Sequence, residues 1–164
     1  LLLKAKQSGL SDGAVIAVYI FYNLVYAATA YPLGIIADKI GLKKVFLFGL
    51  GLFAVVYFGM AYPGGPYYFY ALLFLYGLYA AATEGVSKAW ISNITDKTDT
   101  ATAIGTYAAF QSICTMMAST LAGILWYKFG ATATFLITGT MTALVFIYVL
   151  FVPYIKTNQQ TKIN

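Results

Sequence analysis

Read from its residues alone, the chain is an all-α protein: a polytopic membrane helical bundle of five full spans preceded by an N-terminal stub, in one membrane domain over residues 1–164. Three observations lead there. Hydrophobic residues make up 61% of the sequence, aromatic residues 18% and charged residues 9%, with a mean hydropathy of +0.78. Too few charged side chains remain to clothe a water-soluble globule. Apolar segments recur at about 14–37, 45–62, 66–90, 101–126 and 131–152, and about 20 residues rising about 1.5 Å each cross a bilayer core. The connections between them are short and gather the Gly, Pro and charged residues, as turns do.

The same counts bound the chemistry. There is no histidine and one cysteine, Cys114, so the chain cannot assemble a His/Cys metal site, a Ser-His-Asp triad or an internal disulfide. Enzymatic readings are disfavoured, and no cofactor is expected. The net charge of +5 comes from lysines scattered between apolar segments. That spread argues against a nucleic-acid partner and for orientation in a lipid bilayer.

Leu1 to Lys6 reads as the last turn of a span whose beginning is missing, and 7–13 as a polar connection in which Ser11 or Asp12 can cap the next helix. The first full span, 14–37, carries Tyr19, Tyr22 and Tyr26 on one face with Asn23 beside them. That pattern fits either helix packing with locally bonded hydroxyls or the lining of a polar cavity.

A charged turn follows, Gly34-Ile35-Ile36-Ala37-Asp38-Lys39-Ile40-Gly41-Leu42-Lys43-Lys44. Gly34 would let a neighbouring backbone approach closely. Gly41 can take a positive φ that reverses the chain within a few residues. Asp38 can accept hydrogen bonds from the free amides of an adjacent helix start. Lys43 and Lys44 open a helix whose dipole opposes them, so something else must favour them. The bias of lysine and arginine toward the cytoplasmic side is one candidate.

The second span, 45–62, ends at Tyr62-Pro63-Gly64-Gly65-Pro66, a helix-breaking turn without lysine. The third, 66–90, opens with an interfacial belt of tyrosines and carries Glu84 toward its far end. A carboxylate inside a membrane helix costs several kcal/mol unless paired or wetted. Pairing with Lys44 or Lys43 is one role for it, and proton coupling with a raised pKa is the other. After the polar loop 92–100, the span 101–126 presents Gln111, Thr115 and Ser119 at four-residue spacing. This stripe can face a transport path or bond to its own backbone. Cys114 reads as inert packing. The last span, 131–152, ends at Pro153 and leads into a polar tail.

The form G-x-x-A-D-K-x-G-x-K-K at 34–44 resembles the loop signature between the second and third helices of each half of the major facilitator superfamily. Ile36 stands where Leu is usual, and Leu42 shifts the basic pair to Lys43 and Lys44. Two further blocks are similar to family sequences: Ala81 to Trp90, with its Glu84-Gly85 pair, and Leu125-Trp126-Tyr127-Lys128-Phe129-Gly130, in which Lys128 stands where an acid is usual.

The resemblance covers almost the whole chain and implies the C-terminal six-helix half of a bacterial permease, truncated in its first helix. It implies a secondary transporter or facilitator, possible proton coupling, and two halves rocking about a midplane site. The turn at 34–44 would be a conformational latch. The implied partners are lipid, the missing N-terminal half, an unidentified small solute and protons. The implied setting is the bacterial inner membrane.

With that turn cytoplasmic, alternation puts Lys39, Lys43, Lys44, Lys88, Lys97, Lys156 and Lys162 inside and Lys4, Lys6 and Lys128 outside. This is the direction of the positive-inside rule, and it leaves the carboxyl tail cytoplasmic. A non-transporting structural or accessory membrane protein is the competing reading.

Overall fold

A computed structural model describes residues 1–7 and 9–151. The expected end of the last span at Val152, Pro153 and the tail lysines lie outside the described residues. Within the described residues all regular structure is helical. The elements are α1 (Leu2–Gln7), α2 (Asp12–Ile40), α3 (Leu42–Met60), α4 (Pro66–Ile94) and a final stretch, Thr100–Phe151. That stretch is broken at Gly130, with φ 81° and ψ 174°. It is therefore two helices, α5 (100–129) and α6 (131–151), and glycine is the residue that takes such a backbone without a side-chain clash.

Local chemistry sets the helix ends. Ser11 caps α2, its side chain accepting from the Ala14 amide at 3.3 Å. Lys6 and Asp12 pair at 2.8 Å across the α1–α2 turn, an exposed contact that solvent screens. Pro66 opens α4 behind Gly65, where its missing amide costs nothing. The Tyr68 hydroxyl donates to the Gly59 carbonyl at 2.7 Å, satisfying an acceptor near the end of α3.

The charged turn is much tighter than a polar loop. Helix α2 runs on through Asp38 and Lys39 to Ile40, and α3 starts at Leu42, so Gly41 alone reverses the chain at φ 103°, ψ 136°. Its amide donates to the Ala37 carbonyl at 2.9 Å. The hairpin is also anchored. Leu42, the departure from the usual signature, is buried with Ala37, Val45, Ala82 and Val86 where α2, α3 and α4 meet.

Helix α4 is the centre of the bundle. It packs on α2 through Gly77, where an added Cβ would lie 2.9 Å from the Tyr22 carbonyl oxygen and 2.9 Å from Val25 Cβ. It packs on α3 through Gly49, which faces Thr83 and Ala82. Helix α6 lies on α3, with Gly139 against Phe58 and Phe135 against Tyr57. Lipid tails are as apolar as leucine, so close approach at small residues, rather than apolar burial, holds such helices together. Helix α5 stands at the edge with no buried residue. Its Phe110, Ile113, Met116 and Leu121 are exposed, as are Ile16, Ile20 and Leu24 of α2. Cys114, expected to be packed, is exposed on α5.

Candidate functional site

Two adjoining cavities open into the bundle. The larger, about 730 Å³, is walled by α3, α4, α5 and α6, and the smaller, about 380 Å³, by α2, α3 and α4. Leu1 and Leu3 of the first turn line both, and Tyr57 and Tyr76 are shared between them. Volumes of this size suit a small organic molecule.

Aromatic rings form a continuous wall across five helices. Tyr22 of α2 meets Tyr76 of α4 edge-on at 5.6 Å, Phe53 stacks on Tyr57 of α3 at 4.1 Å, and Tyr57 meets Phe135 of α6 at 5.6 Å. Phe135 in turn meets Trp126 of α5 at 5.6 Å. Edge-to-face pairs of this kind are the favoured arrangement of ring quadrupoles.

The expected cavity residues divide. Tyr19 and Tyr22 line the smaller cavity, and Thr115 and Ser119 line the larger. Their neighbours Ser112 and Thr120 donate to the carbonyls of Ala108 and Met116 at 2.9 Å. Among the described residues Thr115 and Ser119 make no such bond, which leaves their hydroxyls to the cavity. Asn23 donates to the Tyr19 carbonyl at 2.8 Å and lines neither cavity, and Gln111 is exposed outside them. Phe53, Tyr57, Tyr76, Trp126, Thr134, Phe135 and Thr138 were not singled out from the sequence. The i, i+4 pairs Phe53/Tyr57 and Thr134/Thr138 carry a shared-face signal, but spacing does not say what a face meets.

Tyr26, the central residue of α2, lies one turn beyond Tyr22 and lines the groove between α2 and α4 rather than either cavity. Its hydroxyl donates to Glu84 Oε2 of α4 at 3.1 Å. The lysine expected as the partner of Glu84 is replaced by this tyrosine, because the loop lysines sit at the far ends of α2 and α3. Lys43 Nζ donates to the Leu150 carbonyl in the last turn of α6 at 3.1 Å, where a helix leaves unpaired carbonyls and partial negative charge. This contact offsets the unfavourable position of a lysine at the start of α3. Lys39 and Lys44 are exposed.

Below Glu84 a groove of about 240 Å³ separates α2 and α4, floored by Ala30, Gly34, Ala37 and Gly85 with Asp38 at its rim. Gly34 was expected to admit a neighbouring backbone, yet within this chain nothing lies within 4 Å of a Cβ built on it. Asp38 is exposed, and among the described residues it accepts no hydrogen bond from a helix start. No cluster of three or more His, Cys, Asp or Glu side chains that could hold a metal occurs among the described residues.

The family model for the Major Facilitator Superfamily matches residues 2–163. The chain belongs to the Major Facilitator Superfamily. It is similar to an uncharacterised MFS-type transporter of Methanocaldococcus jannaschii, 34% identical over 137 residues. The match covers 84% of this chain and 34% of that protein, so the chain spans about a third of its relative's length. Membership and the apolar helices together make the chain an integral multi-pass membrane protein.

Proposed function

We propose that the chain is the C-terminal half of a transporter that moves a small solute across the inner (plasma) membrane by alternating access. The observation that carries this reading is the hollow middle of the bundle: connected cavities lined by tyrosines and by the free hydroxyls of Thr115 and Ser119, inside an apolar exterior. A hydroxyl-bearing aromatic wall in a lipid-facing protein suits a solute that must leave water. The N-terminal half is the partner that completes the path. It covers the groove between α2 and α4, where Gly34 and Gly85 leave room and Asp38 stands ready to accept hydrogen bonds.

The hairpin at Gly41 faces the cytoplasm in this reading, as does the carboxyl tail. Lys39, Lys43, Lys44, Lys88 and Lys97 lie toward that end of the bundle, and Lys4, Lys6 and Lys128 toward the other. That imbalance has the sign of the positive-inside rule.

Uptake by the intact protein in proteoliposomes tests the latch. Asp38→Asn should lower uptake about tenfold, the equivalent of about 1.4 kcal/mol of coupling between states, with membrane insertion unchanged. Undiminished uptake would remove Asp38 from the mechanism.

A further inference from the structure

The membrane-embedded acid also bears on what is carried. We infer that the solute recognised by this half is an organic cation, with Glu84 as its counter-ion and the tyrosine rings of the adjoining cavity as its walls; this rests on the transport reading above.

Glu84 stands roughly 15 Å from the nearer end of α4 at about 1.5 Å per residue, and accepts a hydrogen bond from the hydroxyl of Tyr26, the central residue of α2, at 3.1 Å. A carboxylate at such depth is expensive. One hydrogen bond offsets only part of that cost, so a positive charge is still called for. Among the described residues the acid–lysine contact within ion-pair distance is Lys6–Asp12, in the α1–α2 turn. Glu84 is also exposed, which leaves its carboxylate open to a mobile cation.

The surroundings select the kind of cation. Tyr22 lies one turn along α2 from Tyr26, so the two share a helix face, and Tyr76 lies about two turns along α4 from Glu84. Tyr22 and Tyr76 meet edge-on and line the smaller cavity with Tyr19 and Tyr57. Among the described residues no charged side chain lines either cavity, Glu84 standing outside both. Ring faces attract ammonium groups, most strongly where water is excluded. An anion would meet a carboxylate with no compensating charge, and a neutral solute would leave the charge on Glu84 unmatched.

The test is equilibrium binding to the intact protein in detergent. The cationic probes are choline and benzyltrimethylammonium, and the neutral probe is 3,3-dimethylbutan-1-ol, the uncharged isostere of choline. Wild type should prefer choline to the isostere. Glu84→Gln should weaken both cations about tenfold or more, as expected when a desolvated counter-charge is lost, and leave the isostere unchanged. Glu84→Asp should restore part of the binding. Tyr26→Phe, which keeps the ring and removes only the hydroxyl, should weaken the cations severalfold and serves if the Gln variant does not fold. Wild type binding neither cation, or Glu84→Gln binding them as wild type does, would overturn the inference and leave a proton as the neutralising charge. Binding in detergent needs no transport, so such a failure would leave the Asp38 uptake result standing. Intact cation binding without uptake would instead sink the transport reading.

Discussion

Identical residues in this chain carry different duties, and the surroundings of each decide which. Gly34 and Gly77 are both helical glycines, yet of the two only Gly77 sits where a Cβ would meet a backbone oxygen and a neighbouring Cβ at 2.9 Å. Gly77→Ala should therefore lower stability by about 1–3 kcal/mol through overpacking, read as a drop in melting temperature in detergent. Gly34→Ala should stay within about 0.5 kcal/mol in this half alone. Equal melting of the two variants would show that α2 and α4 do not cross at Gly77. Gly41 is constrained by conformation rather than space: nothing crowds it, but its φ of 103° makes Gly41→Ala cost about 1–3 kcal/mol in strain. The hydroxyls behave similarly. Ser112 and Thr120 bond to their own helix while Thr115 and Ser119, on the same helix, face the cavity. The four-residue spacing in the sequence identified that face, but which hydroxyls stay free depends on rotamers and neighbours.

Helix ends carry the second level of organisation. Lys43 is a poor residue for the start of α3 considered alone. It becomes favourable because antiparallel packing brings the end of α6 beside it and the Leu150 carbonyl within 3.1 Å. Lys43→Met should loosen α6 from α3 at a cost of about 1 kcal/mol, and Lys43→Arg, which keeps charge and donors, should retain most of the contact. Disulfide trapping between cysteines placed at 46 and 147 would report it, and equal trapping in the Met and Arg variants would show that the lysine holds nothing. The apolar segments and their order were legible in the sequence, since hydropathy and turn chemistry are local properties. The turn at Gly41 was not legible as a single residue, because Asp38, Lys39, Lys43 and Lys44 stay hydrated equally well as a loop or as helix ends. Leu42 explains the tightness: its side chain fills the cluster with Ala37 and Val45, a demand from the core that a polar reading of the turn misses.

At the scale of the molecule the bundle is apolar outside and in its core, with tyrosine, serine and threonine hydroxyls set into the walls of its cavities and α5 presenting an uncovered face. Cysteine labelling in intact cells tests its orientation. An impermeant maleimide should modify Tyr127→Cys, at the α5–α6 turn, and leave Lys44→Cys unmodified until the membrane is opened. The reverse pattern would turn the topology over and break its agreement with the positive-inside rule.

Hydropathy and turn residues were sufficient to specify that the chain is helical and that it lives in lipid, because each of these depends on neighbours within a few residues. Packing settled what those faces meet: Tyr26 against Glu84, 58 residues apart in the chain, and the ring wall joining Tyr22, Tyr76, Tyr57 and Phe135. Helical spacing assigns residues to a side of their own helix, whereas a binding site exists only where sides of several helices are brought together.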